Sequence, residues 1–179
     1  MDSSVLAGIR ESIRNVPDFP IKGIQFKDIT TAIKQPVIFN HITDILAKQF
    51  SGKGITKVVA IESRGFIIGG ALAYKLNAGF VPVRKPGKLP AVTYSVTYDL
   101  EYGKDSLQMH QDALHPDDIV LLHDDLLATG GTALATLNLI RKFNVKKTYV
   151  CFIAELDFLK GRNRLSPPYE VFSLAHYDE

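Results

Sequence analysis

Ile119-Val-Leu-Leu-His123-Asp124-Asp125-Leu-Leu-Ala-Thr129-Gly130-Gly131-Thr132 is the stretch whose reading decides the fold. Ile119 to Leu122 is an unbroken apolar run, the pattern of a strand buried on both faces of a parallel sheet. Leu134, Leu137 and the segment from Arg141 to Phe143 then carry helical spacing, so the chain turns in between. Two acids close the strand, and a Thr-Gly-Gly-Thr turn opens the helix. Gly130 and Gly131 can take positive φ and admit a close backbone approach, and the first N–H groups of a helix beginning near Thr132 lack intrahelical partners. Those donors, at a helix end carrying roughly +0.5 charge, make an anion site to which Thr129 and Thr132 add hydroxyls. Asp124 and Asp125 would repel a phosphate, so they suit sugar hydroxyls or metal-bound water. Together the two ends describe a sugar-phosphate site. An ordinary strand–helix turn with a threonine cap is the plainer alternative, and the acidic pair at a strand end weighs against it. The segment is neither a Walker A loop nor a Gly-x-Gly-x-x-Gly turn.

Working outward, Lys57-Val-Val-Ala-Ile61 is a second buried strand, followed by Glu62-Ser-Arg-Gly65 and a helix from Phe66 to Leu76. Phe80-Val-Pro-Val83 is a third strand, and Arg84-Lys-Pro-Gly-Lys88 then places three cations within five residues. Arg64 offers a pyrophosphate its planar fork of donors, or else pairs with Glu62 at the surface. Joined to Arg84–Lys88, it supplies the positive charge that a diphosphate needs. Val92 to Tyr98 alternates with period two, as does part of Ser106 to Gln111, and Glu101-Tyr-Gly-Lys104 marks a hairpin tip. Such a hairpin is a candidate flexible hood, closing over a reactive sugar phosphate to exclude water, with Glu101 as its titratable group. Lys146 to Leu156 is a further buried strand, Lys160 to Arg164 a basic turn, and Tyr169 to Leu174 a last strand at an edge or over one end.

At the other end, Ser3 or Ser4 caps a first helix with a stripe of Val5, Leu6, Ile9 and Ile13, which Pro17 ends. The breaker-rich segment up to Asp28 carries Phe19, Ile24 and Phe26, which either tuck a surface arm onto the core or clamp a flat aromatic ligand. Pro36 opens a second helix whose buried side holds Val37, Ile38, Ile42, Ile45, Leu46 and Phe50.

A chain of 179 residues has the size of one domain with a sizeable core. Its net charge of +2 is too small for a broad nucleic-acid footprint but allows a local basic pocket. The lone Cys151, inside an apolar strand, excludes an internal disulfide, fits a reducing compartment and reads as core. The N-terminus lacks the pattern of a signal peptide, and no apolar run approaches the about 20 residues that span a bilayer, so a soluble cytoplasmic protein is expected. The five histidines show no ligand spacing for a protein-built zinc site, and no Gly-x-Ser-x-Gly supports a serine hydrolase.

The acidic pair with its threonine/glycine loop closely resembles the signature of type I phosphoribosyltransferases. Pro17-Asp-Phe-Pro20, Gly23 to Ile29, Glu62-Ser-Arg-Gly-Phe66, Arg84 to Pro90, Leu100-Glu-Tyr-Gly-Lys104 and Asp124 to Thr132, in that order, narrow the resemblance to the adenine phosphoribosyltransferases, from about Val16 to Tyr177. The resemblance implies an α/β fold, a parallel sheet flanked by helices, in one domain over 1–179. A small N-terminal base-binding subdomain would occupy 1–35 and a hairpin hood 92–111. The implied activity joins adenine to phosphoribosyl pyrophosphate, giving AMP and pyrophosphate, in a homodimer that binds neither nucleic acid nor membrane. Mg²⁺ would be carried by the substrate diphosphate and waters, with no protein ligand.

Position by position, the resemblance gives Ala128, Thr129, Gly130, Gly131 and Thr132 to the 5′-phosphate and Asp124 and Asp125 to the ribose hydroxyls. Arg64 and Lys88 match diphosphate positions, supported by Arg84 and Lys85. Ile24, Phe26 and Lys27 fall in the base loop, with Leu126 closing the other face of the purine. Glu101, the proposed acid–base group, and Tyr102 fall in the hood. Lys27 stands where arginine is common, Pro86 where some relatives are basic, and His123 where an aliphatic residue is usual. His123 either orients Asp124 or is a hydrogen-bonded core histidine. A phosphoribosyltransferase for another nucleobase and a phosphoribosyl pyrophosphate-sensing regulator are the rival readings.

Overall fold

A computed structural model describes residues 3–18, 22, 25–99, 104–165 and 167–178. The N-terminal third comprises α1 (Ser3–Ser12), β1 (Arg14–Pro17), β2 (Gln25–Asp28), α2 (Thr30–Ile33) and α3 (Pro36–Phe50). There follow β3 (Lys57–Ile61), α4 (Gly65–Lys75), β4 (Gly79–Val83), and a hairpin of β5 (Thr93–Asp99) and β6 (Lys104–His110). The chain ends with β7 (Ile119–Leu127), α5 (Gly131–Arg141), β8 (Lys147–Leu156), two 3-10 turns and β9 (Glu170–Tyr177).

Five strands form one parallel sheet in the order β4-β3-β7-β8-β9. The chain leaves β3 toward β4, then jumps back across β3 to enter β7 and continues outward to β9. Connections from the carboxyl ends of β3 and β7 therefore diverge, and the crevice between them is where open α/β sheets bind ligands. The last strand lies at an edge, as one of the two sequence expectations had it.

Continuous apolar strands are explained by burial on both faces. Val58, Leu121, Cys151 and Ile153 meet α1, α3 and α4 on one side, while Val59, Leu122, Val150 and Phe152 meet α5 and the hairpin on the other. Cys151 is wholly buried, and its thiol is pushed well up by desolvation. The hairpin is fixed at its root, where Arg84 and Gln108 exchange backbone hydrogen bonds of 3.0 and 2.7 Å, and along its length, where Tyr94 stacks edge-on to Phe143.

Two local expectations are corrected. The first helix stops at Ser12 rather than at Pro17, because Ser12 Oγ bonds back to the Ile9 carbonyl at 2.7 Å and the Thr31 hydroxyl takes over the freed backbone groups. It donates to Ser12 O at 2.6 Å and accepts the Arg14 N–H at 3.1 Å, leaving Arg14–Pro17 to pair antiparallel with Gln25–Asp28. In α3, Val37 points outward at 63% exposure, since the helix buries its Ile42, Leu46 and Phe50 side.

Helix α4 packs so closely that a Cβ on Gly69 would stand 2.6 Å from Ala60 Cβ, whereas one on Gly8 of α1 would meet nothing within 4 Å. Gly69→Ala is expected to lower stability, because overpacking of about 1–3 kcal/mol outweighs the helix-propensity gain of up to about 1 kcal/mol. Gly8→Ala, with only the gain, should raise the melting temperature by about 2–3 °C; calorimetry of the two variants checks the pair.

Candidate active site

Strand β7 does not end at its acids. It runs on to Leu127 because β8 stays beside it, pairing Asp124 with Phe152, Leu126 with Ala154 and Leu127 with Glu155. Gly130 then takes φ 79°, a left-handed conformation suited to glycine, and α5 begins at Gly131, the only one of the two glycines expected at positive φ that lacks it. The first helical bond runs from Leu134 N–H to the Gly130 carbonyl at 2.9 Å, and no side chain caps the helix. The N–H groups of Gly131, Thr132 and Ala133 thus precede the helical ladder, where an anion would find them. Asp124, Leu126, Ala128, Thr129, Gly130 and Thr132 line a pocket of about 80 Å³ there.

Beside it opens a larger crevice of about 430 Å³, lined by Glu62, Ser63, Arg64, Lys85, Tyr98, Asp105, Asp124, Asp125 and Thr132 among others. Its floor is the acidic pair. Asp125 N–H donates to Asp124 Oδ1 at 2.9 Å, and α4 begins so close that a Cβ on Gly65 would stand 2.9 Å from the same oxygen. Burial holds the Asp124 carboxyl well above the usual range, and the charge of Asp125 adds to this; burial also raises Asp125, which Arg64 opposes. Arg64 Nε lies 2.8 Å from Asp125 Oδ2, near enough to pair the charges, yet its N–H is not aimed at that oxygen, which keeps no hydrogen bond. The guanidinium also stacks 4.8 Å above the Phe26 ring, bringing β2 to the edge of the crevice.

The alternative surface pairing of Arg64 with Glu62 does not form. Glu62 instead accepts from Arg84 Nε at 3.1 Å and from the Lys85 N–H at 2.7 Å. Lys85 rather than Lys88 lines the crevice, paired with Asp105 of β6 at 2.9 Å. That pairing raises the Lys85 pKa and lowers that of Asp105. Lys88 contributes its carbonyl to Arg84 Nη1 at 3.3 Å. Lys27 is not among the residues lining the crevice, and its ammonium lies 4.4 Å from the centre of the Tyr177 ring. Its neighbour Asp28 fixes the loop by accepting Thr30 Oγ1 at 2.7 Å, Thr30 N–H at 2.9 Å and Arg14 Nη2 at 2.5 Å, and these bonds hold its carboxyl down at about 2. Ile24, Glu101 and Tyr102 lie outside the described residues.

Tyr98 and Asp105 were missed by the sequence reading. Tyr98 OH accepts from Thr132 Oγ1 and donates to Asp105 Oδ2, both at 3.5 Å, so it links the hairpin to the start of α5. The signal was present in the alternation Tyr94, Val96, Tyr98, which puts Tyr98 on the inward face of β5. Among the described residues, ligand-type atoms of Glu155, Asp157 and His176 lie within 4.8 Å of one another. Glu155 is already engaged there by Arg162 and Ser173.

His123 is a core residue rather than an orienter of Asp124. Its Nδ1 lies 3.4 Å from Cys151 Sγ and its Nε2 is buried without a partner, and burial pushes its pKa down to about 4. A depressed imidazole pKa means that the unfolded chain takes up the proton first. Folding stability should therefore fall by about 3 kcal/mol as pH drops from 6.5 to about 4. In His123→Leu that part of the acid sensitivity should vanish, as urea melts across this pH range would show.

Comparison with known proteins agrees with this geometry. The phosphoribosyl transferase domain family matches residues 30–175. The adenine phosphoribosyltransferase of Acidobacterium capsulatum is 56% identical over 171 residues, covering 96% of this chain and 94% of the relative. The crystal structure of the adenine phosphoribosyltransferase from Rhodothermus marinus superposes with a TM-score of 0.93 at 48% identity, over 98% of this chain and 100% of that one. That of the Giardia lamblia enzyme complexed with 9-deazaadenine gives 0.93 at 39% identity, over 97% and 98%. By its fold, its motifs and these relatives, the chain belongs to the adenine phosphoribosyltransferase family.

Proposed function

We propose that this protein transfers the 5-phosphoribosyl group of phosphoribosyl pyrophosphate to N9 of adenine, giving AMP and pyrophosphate in purine salvage. The observation that carries the reading is the meeting, at one sheet crevice, of an uncapped helix start, a buried acidic pair and the cations Arg64 and Lys85. The uncapped N–H groups and the hydroxyls of Thr129 and Thr132 suit the 5′-phosphate. Asp124 and Asp125 accept from the ribose hydroxyls, and the open lone pair of Asp125 Oδ2 is suited to such a donor or to metal-bound water. The 9-deazaadenine bound by the Giardia relative supports a purine as the ligand, which we place beside Phe26 and Leu126.

In the reaction N9 attacks C1′ while the C1′–oxygen bond to pyrophosphate breaks and its electron pair leaves with the diphosphate. Arg64, Lys85 and Lys88 stabilise the charge that builds on the leaving group, a form of catalysis in which losing one donor often costs about 10²–10³ in rate. The oxygen-rich crevice fits Mg²⁺, which supplies further charge neutralisation when carried in on the diphosphate. Glu101, in the hood over 92–111, takes the N9 proton. The 1–35 segment holds the base, and the whole chain acts as one domain in the cytoplasm; none of its described helices is long and apolar enough to cross a membrane.

A homodimer completes the reading. Helix α4 turns Ile67 and Tyr74 outward at 42% and 86% exposure, and beside it Phe80, at 40%, stacks edge-on against Phe66. Such an apolar patch suits a second copy of the chain. Sedimentation should show a dimer that the double variant Ile67→Asp/Tyr74→Asp shifts to monomer.

Incubation with Mg²⁺, phosphoribosyl pyrophosphate and adenine should yield AMP, with hypoxanthine and guanine far poorer acceptors. Tight substrate binding without AMP would overturn the assignment in favour of a sensor. Glu101→Ala is expected to lower kcat far more than it weakens phosphoribosyl pyrophosphate binding; the reverse result would remove Glu101 from the chemical step.

A further inference from the structure

Against the anion loop lies the 3-10 turn Gly161–Arg164 that follows β8. A Cβ on Gly161 would come within 2.1 Å of the Ala128 carbonyl oxygen and 2.9 Å of Gly130 N, and one on Gly130 would stand 2.6 Å from the Gly161 carbonyl oxygen. Backbone rests on backbone here with no side chain between. Gly161, unlike Gly130, does not have a positive φ, so its need for glycine comes from this closeness and not from its own conformation.

The turn is in turn clamped. Arg162 Nε donates to Glu155 Oε1 at 3.0 Å, Nη1 to the Val171 carbonyl at 2.6 Å, and Nη2 to Ser173 Oγ at 3.2 Å and to Glu155 Oε2. Ser173 Oγ closes the ring by donating to Glu155 Oε2 at 2.5 Å. Glu155 is only 3% exposed, and next to the turn Leu165 is buried in the core. A planar guanidinium bonded on three sides to β8 and β9 leaves the turn no freedom to retreat. None of these groups lines the crevice.

We infer that Gly161 and Arg162 are positioning residues for the anion loop: the Arg162–Glu155–Ser173 network holds the turn, and the Gly161 backbone sets the height of Ala128–Gly130 and the aim of the first α5 N–H groups. The inference rests on reading that loop as the 5′-phosphate site. It separates the two ends of the substrate, because the turn touches the phosphate loop and none of the diphosphate cations.

Two probes test it, ribose 5-phosphate for the loop and inorganic pyrophosphate for the cations, with affinities read by calorimetry. Gly161→Ala is expected to weaken ribose 5-phosphate about tenfold or more, as loss of a charge-assisted contact does, and to leave pyrophosphate unchanged. KM for phosphoribosyl pyrophosphate should rise by a similar factor while kcat moves less. Arg162→Lys, which keeps the charge but loses the fork, should show the same pattern more weakly and serves if Gly161→Ala does not fold. Equal loss of both probes, or of neither, overturns the inference. Thr132→Val separates the two levels of the argument. If it weakens ribose 5-phosphate and the turn variants do not, the buttress alone is wrong; if it too has no effect, the phosphate-loop reading fails and the inference with it.

Discussion

Two neighbouring carboxylates within a buried strand repel each other and lose hydration, and the crevice depends on the surroundings that offset this cost. Arg64 can oppose Asp125 only because β3 and β7 are adjacent and parallel, which places the end of β3 beside the acids of β7. The start of α4 can reach Asp124 Oδ1 only because Gly65 has no Cβ. Sheet order and a missing side chain therefore precede any chemistry. The raised carboxyl pKa values of the pair are the residue of a cost that the fold does not wholly remove.

The same crossover separates positive from negative potential within one crevice. Donors at the start of α5 line the smaller pocket and the cations after β3 and β4 the larger one, and Asp124 lines both. A ligand with a phosphate at each end and hydroxyls in the middle matches that order. A simple basic patch would hold any polyanion, but the central acids penalise one that carries charge along its whole length. Fixed dipoles and paired charges of this kind need little reorganisation during a reaction.

Legibility in the sequence followed the range of the interactions. Strands β3, β7 and β8 could be read because burial on both faces writes itself as a continuous apolar run, and the Thr129–Thr132 turn because its glycines and threonines act where they stand. The stop at Ser12 could not, since the hydroxyl that satisfies the freed backbone belongs to Thr31. The choice of Lys85 over Lys88 as the lining cation depends on Asp105, which comes from a different strand. Lys160-Gly-Arg-Asn-Arg164 read as a basic turn, yet Arg162 spends its charge inward on Glu155, and Gly161 matters for a contact with Ala128 that no spacing announces. Ile24, Glu101 and Tyr102 fall outside the described residues.

Counting cations also misjudges what the crevice offers an anion. Arg64 holds Asp125, Arg84 holds Glu62 and Lys85 holds Asp105, so each of the three is already paired. On the proposed function, an arriving diphosphate would exchange one set of oxygens for another, and its gain would be the difference between the two. Since the Lys85–Asp105 pair joins the cation loop to the hairpin, that difference is not confined to the binding site. Any anion that draws Lys85 away from Asp105 loosens a tie on β6, and any shift of β6 that breaks the tie frees Lys85 to bind. If the diphosphate binds at Lys85 as proposed, its binding and the Lys85–Asp105 tie to β6 compete for one ammonium group.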